Sequence, residues 1–434
     1  MKRLCGTDEL LLIKNAEVWN SDGVLKNVHL VVKNGILESC SSEIPKFEAK
    51  EVDAKGKVLL PSGLDLQVHM RVPGQYHKEN ARTHLEAALR GGFGAVLVMP
   101  NTYPVLHSPA VLERLFAECG EDEQELGVKV LASSAVTVDQ GEKELVDFRA
   151  MKEAGVVAIT EDGKAVRHRE HMLAALQACA ELKIPFLQHA EEFDHGGALA
   201  KGSTQTQQNV PLYPELAESR LIARDLEILR ECPEARYHVL HVTTRQSVEL
   251  IEKAKNEGLK VTAEVTPHHL TFSSEEIPSN NTSFKMNPPL HGPEHREALR
   301  MAIKSGVIDF LTTDHAPHEI WAKDREFADS AYGTTAMEAA LRVLLEMKLS
   351  GEISSGKVVD LFSKNPAEFI GLSNEFGDIA VGRPFRAVLF DAAAEPQAVE
   401  IEDLGSLSKN SIFLGHPLPG RIEGHYSASG FFAF

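Results

Sequence analysis

Short apolar runs alternate with amphipathic stretches through most of the chain. Eight β-like runs stand between about Leu64 and Leu372: LDLQVH (64–69), GAVLVM (94–99), VKVLAS (128–133), VVAITE (156–161), PFLQHA (185–190), YHVLHV (237–242), KVTAEVT (260–266) and IDFLTTD (308–314). Between them lie segments with helical spacing, among them HKENARTHLEAALRGG, HREHMLAALQACAELK and TRQSVELIEKAKNEG. These end near Gly, Lys or Pro, as helix termini do. Eightfold alternation of strand and helix predicts an α/β fold, a parallel (β/α)8 barrel of the TIM type. A doubly wound open sheet is the alternative. No G-x-G-x-x-G opens a helix after the first strand, so a dinucleotide-binding fold gains no support.

The first and last sixty residues read differently, as short strands punctuated by Asn, Gly and Asp, such as LLLIKNAEVW, VLKNVHLVVKNG and GRPFRAVLFD. Each end alone has too few strands to bury a face. The expected organisation is therefore a small composite β domain, from residues 1–60 and 376–434, beside a barrel over residues 61–375. Such a barrel takes about 250 residues as one unit, so the 434 residues need not divide into three domains. The stretch 196–211 contains KGSTQTQQNV, which is polar and reads as a mobile loop.

Composition narrows the class. Apolar residues make up 43% and charged residues 25%, which excludes disordered, collagen-like and disulfide-scaffold chains. No apolar run reaches the roughly 18 residues of a membrane span, and the apolar run near the start is too short for a signal peptide. The formal charge of −18 disfavours nucleic acid. It also means that an anionic substrate needs local cations in its pocket. Five dispersed cysteines without a CxxC pair read as reduced thiols of a cytoplasmic protein.

The His and Asp residues fall at strand ends. His69 closes the first run, Asp162 follows the fourth, His189 and His241 lie near the ends of the fifth and sixth, and Asp314 closes the eighth. In a barrel these positions share the carboxyl-terminal mouth. Imidazole and carboxylate together suit zinc, with a position left open for water. Arg71 follows His69 at a spacing of two, which on a strand puts both on one face, and its fork suits a carboxylate.

These motifs resemble those of dihydroorotases in the amidohydrolase superfamily. LPSGLDLQVHMRVPG is similar to the family's first-strand motif. VMPNT, ITEDG, LQHAEE, HVLHVTT, VTAEVTPHHL, KMNPPL and TTDHAPH follow in the family's order, and GRPFRAVLFD and GHPLPGRIEG match its closing segment. KMNPPL with TDHAPH favours dihydroorotase over allantoinase or hydantoinase, which usually carry a carboxylated lysine as bridging ligand. The resemblance implies reversible hydrolysis of the cyclic amide of L-dihydroorotate to N-carbamoyl-L-aspartate, in de novo pyrimidine biosynthesis. It implies metal ligands His69, Asp162, His189, His241 and Asp314, with Asp162 bridging and Asp314 also the general base. Arg71, Asn101 and His318 resemble the family's substrate-carboxylate contacts, and Asn287 its contact to the ring. A homodimer is common in the family.

One position departs. The family's D-x-H-x-H-x-R reads here as Asp65, Gln67, His69, Arg71. An amide oxygen is a weaker zinc donor than imidazole. One zinc is therefore expected at Asp162, His189 and His241, and a second is weakened. The departure also raises a rival reading, a non-catalytic partner of aspartate transcarbamoylase; another cyclic-amide hydrolase is a third. Lys164 reads as a solvated charge and His291 as peripheral. His268 and His269 read as adjacent strand residues on opposite faces, so not both ligands. Glu191 and Glu192 divide evenly between orienting His189 and facing solvent.

Overall fold

A computed structural model describes the chain except residues 46, 193–196, 204–209 and 279–280. Eight parallel strands form the central sheet: β1 (Gly63–Val68), β2 (Phe93–Val98), β3 (Lys129–Ser134), β4 (Ala158–Thr160), β5 (Phe186–Gln188), β6 (Tyr237–Val239), β7 (Val261–Val265) and β8 (Phe310–Leu311). They neighbour one another in chain order. The barrel closes just beyond the strand ends, where Val68 bridges His315 in parallel and His69 N donates to His315 O at 2.9 Å. The eight expected strands are all found, and all but the third stop a residue or more short at the mouth, where the backbone turns. Both faces of the strands are buried, which is why they read as near-continuous apolar runs.

The helices follow from local signals. The first after β1, α1 (Ala81–Gly91), is capped by the Asn80 side chain, which accepts from Thr83 N. It ends at Gly92 in the left-handed conformation (φ 85°), with the glycine N–H bonding back to Ala88 and Leu89. That is the usual division of labour between helix start and stop. Its buried face carries Leu85, Ala88 and Leu89 onto the barrel.

The chain ends meet in a second sheet. Lys2–Gly6 pairs antiparallel with Gly430–Ala433, which pairs with Arg421–Ser427. Ala387–Asp391 lies between Arg421–Ser427 and Val58–Pro61. Val58–Pro61 in turn runs beside Leu11–Asn20. The sheet rests on the barrel through His425, whose Nε2 meets Ser62 Oγ at 2.6 Å and whose Nδ1 meets Leu89 O at 3.0 Å. Lys57 holds Asp391 at 2.5 Å and Glu423 at 2.9 Å across three strands.

The 196–211 stretch departs from expectation where it is described. Ala198, Leu199, Ala200, Ser203 and Val210 are buried. Ala198 N donates to Pro211 O and Tyr213 N to Leu199 O. Its described flanks are thus partly buried and hydrogen-bonded, with Lys201 and Gly202 exposed; residues 196 and 204–209 lie outside the described residues. No helix among the described residues is long and apolar enough to cross a membrane.

The terminal strand carries a direct test. Phe432 is 4% exposed in the strand that joins the first residues of the chain to the rest of the sheet. Phe432→Ala is expected to cost about 3–5 kcal/mol in chemical denaturation. A loss below about 1 kcal/mol would mean that this strand does not staple the ends.

Candidate active site

The strand ends deliver their side chains to one cavity of about 210 Å³. His69, Arg71, Asn101, Asp162, His189, His241, Asn287, Asp314 and His318 all line it. The residues the sequence assigned as metal ligands and substrate contacts are therefore all in the same place. Two residues with no signal in the pattern, Tyr332 and Gly333, complete the wall. They belong to the irregular segment after the eighth strand, where no periodicity marks a position.

Asp162 is the hub. It is 1% exposed. Its Oδ1 lies 3.4 Å from His189 Nδ1 and 3.8 Å from His241 Nε2, and its Oδ2 lies 3.4 Å from His69 Nε2. His69 Nε2 is also 2.9 Å from Asp314 Oδ1, and His189 Nδ1 is 2.9 Å from His241 Nε2. Burial would raise the Asp162 carboxyl, but bonds from His189 and His241 and the charge of His69 carry it well below its ordinary value. Burial likewise opposes charge on His189, yet Asp162 and Glu191 lift it to about 10.

The ligand atoms of Asp162, His189 and His241 converge within 4.8 Å of one another. Two further oxygens in the mouth are buried without a hydrogen-bond partner, Asp162 Oδ2 and Gln67 Oε1. Gln67 spends its amide nitrogen on Asp162 Oδ1 at 3.2 Å. Buried acceptors left unpaired are costly, and a cation among imidazoles relieves that cost. The residues present fit a metal.

The outer shell is ordered by hydrogen bonds. Asn101 Oδ1 meets His69 Nδ1 at 2.9 Å. Gly163, at φ 88°, leaves room for that asparagine, since a Cβ there would lie 2.6 Å from Asn101 Nδ2. Glu191 Oε2 meets His189 Nε2 at 3.1 Å and accepts from Asn287 Nδ2 at 2.8 Å. Of the two glutamates left open by the sequence, Glu191 orients the histidine and Glu192 pairs with Arg220.

Two readings need correcting. Arg71 does reach the cavity, but not by sharing a strand face with His69. The strand stops at Val68 and Arg71 sits in a left-handed turn at φ 66°. From there its Nε donates to Pro317 O at 3.2 Å and its Nη2 meets His318 Nε2 at 3.1 Å. Burial lowers its guanidinium to about 10, so it stays cationic at neutral pH. His268 and His269 are on a short helix, Pro267–Thr271, rather than a strand. Both are buried, and His269 bonds Thr266 Oγ1 and Pro288 O. His291, read as peripheral, does not line the cavity; it is buried and packs edge-on to Tyr213. Lys164 is exposed and donates to Gln140 O, away from Asp162.

The model of the amidohydrolase family matches residues 58–414. The chain belongs to the amidohydrolase family. Its sequence relatives include proteins named dihydroorotase. A protein of that name from Listeria welshimeri is 36% identical over 423 residues, covering 96% of this chain and 98% of its own. Another from Geobacillus is 36% identical over 414 residues, covering 94% and 95%. Among solved structures, L-hydantoinase from Arthrobacter aurescens superposes with a TM-score of 0.87 at 23% identity, covering 98% and 96% of the two chains. The dihydropyrimidinase of Brevibacillus agri gives 0.82 at 21%, covering 98% and 95%. At that identity these structures speak for the fold alone.

The Glu191–His189 contact can be tested on metal affinity. A carboxylate behind a ligating imidazole fixes its tautomer and raises its basicity. Glu191→Ala is expected to lower zinc affinity by about 10–100-fold in competition with a chromogenic chelator. An unchanged affinity would mean that Glu191 does not act through His189.

Proposed function

We propose that this cyclic amidohydrolase is a zinc-dependent dihydroorotase, interconverting L-dihydroorotate and N-carbamoyl-L-aspartate in cytoplasmic pyrimidine biosynthesis. The observation that carries the reading is one small cavity holding a carboxylate–imidazole cluster beside a buried guanidinium. His69, Asp162, His189, His241 and Asp314 would hold the metal, with Asp162 shared between positions. Gln67 weakens the position on the His69 side. Zinc, when bound, polarises an amide carbonyl and acidifies water.

The chain's own groups do the rest. Asp314, fixed by His69 at 2.9 Å, takes the proton of the attacking water and returns it to the leaving amide nitrogen. Arg71 offers its fork to the substrate carboxylate, supported by Asn101 and His318. This local cation answers the repulsion an anion meets from a chain of charge −18. Asn287, anchored on Glu191, faces the ring. Gln67 favours a second reading, a catalytically impaired partner of aspartate transcarbamoylase.

Kinetics separates the two. Asp314→Asn is expected to lower kcat for dihydroorotate hydrolysis by about 10²–10⁴-fold while zinc stays on Asp162, His189 and His241. Gln67→His is expected to add up to one zinc per chain, in the mouth, and to raise kcat. Hydrolysis that survives Asp314→Asn would put the proton transfer on another residue. A wild-type protein that binds zinc but turns over no dihydroorotate would favour the non-catalytic reading.

A further inference from the structure

Behind the mouth, on the far side of Asp314, lies a second cluster of metal-ligand side chains that the hydrolytic reading does not use. Glu79 precedes α1, His84 lies on it, and His315 follows Asp314. Each is fully buried, at 0% exposure. One ligand atom from each falls within 4.8 Å of the others. The two imidazoles meet edge to face, with ring centroids 5.3 Å apart. None of the three lines the catalytic cavity.

The polar accounting at this spot does not close. Both ring nitrogens of His84 lack a hydrogen-bond partner, and so does Glu79 Oε2. The other oxygen of Glu79 is fully used, accepting from Asn80 N, Leu407 N and the Thr83 hydroxyl. That network fixes the carboxylate and leaves its free oxygen in the cluster. A buried polar group without a partner costs about 1–3 kcal/mol, and three such atoms share one small volume here. Buried His425 settles on Leu89 O and Ser62 Oγ; buried His268 also leaves both ring nitrogens unpaired, and what sets His84 apart is the unpaired carboxylate oxygen and second imidazole beside it.

We propose that Glu79, His84 and His315 form a second, structural cation site, suited to zinc. Two imidazoles and one carboxylate are a borderline ligand set that matches Zn²⁺ better than Mg²⁺ or Ca²⁺. Full burial separates its role from that of the mouth, because a closed site binds metal without admitting substrate. His315 is hydrogen-bonded at both ring nitrogens, Nε2 with Ser406 Oγ at 2.6 Å and Nδ1 accepting from Ala336 N at 3.3 Å, so a bound ion would take the place of the longer of these bonds and leave Ser406 to hold the ring. The ion would tie α1 to the seam between β8 and β1, where His315 O holds the backbone of His69. This inference stands on its own residues and does not depend on which amide the mouth hydrolyses.

The test is crystallographic and compositional, on the full chain grown and purified with zinc. Anomalous scattering at the zinc edge is expected to give a peak between Glu79, His84 and His315, separate from any peak in the mouth. His84→Leu is expected to remove that peak and lower zinc content by one ion per chain, with the mouth peak retained. Should the leucine variant fail to fold, His84→Gln, which keeps the side chain polar, serves the same measurement. An ordered water without anomalous signal in the wild-type cluster would overturn the proposal. So would an unchanged zinc content in either variant.

Discussion

The active mouth depends on the joining of the first strand to the last. Asp65, wholly buried in β1, accepts from Thr313 N at 3.0 Å and from the Thr313 hydroxyl across the seam to the eighth strand. Burial pushes this carboxyl up to about 7, against the pull of those bonds. A few residues on, His69 N bonds His315 O. These contacts place His69 and Asp314, 245 positions apart in the chain, within 2.9 Å of each other. A barrel left open here would keep its core but lose the pairing of the groups assigned to metal and to proton transfer.

From that seam the rest of the site is built outward. Arg71, Asn101 and Asp162 come from just beyond the ends of the first, second and fourth strands, and each is held by a named partner. Arg71 rests on Pro317 and His318, Asn101 on His69, and Asn287 on Glu191. Pre-set hydrogen bonds of this kind hold reacting groups in place before the substrate arrives. The sheet made from the two chain ends braces the opposite side through His425, Ser62 and Leu89.

Much of this was legible in the sequence because strand–helix alternation is a strong pattern and strand ends in a barrel converge by geometry. Gln67 stood out because it occupies a fixed place in a spaced motif. What escaped notice did so for physical reasons. Strand periodicity holds only while the backbone stays extended, and it turns left-handed at Arg71, so a right conclusion rested on a wrong face argument. The pair His268–His269 sits after Thr266 and Pro267, a hydroxyl cap and a first-turn proline that start a helix; that signal was present and outweighed by the strand before it. The 196–211 stretch reads as polar because of its TQTQQN centre, yet the small and apolar residues of its flanks are buried. The Glu79–His84–His315 cluster draws on three distant positions, and no local spacing announces it.

The central claim is that the mouth hydrolyses a cyclic amide bearing a carboxylate. The most direct measurement compares ring opening of L-dihydroorotate with that of dihydrouracil, the same ring without the carboxylate, by the zinc-supplemented protein. A buried Arg71 fork left without its anion penalises the smaller ring, so kcat/KM should favour dihydroorotate by at least about 100-fold. Equal turnover of the two, or a preference for dihydrouracil, would contradict the account.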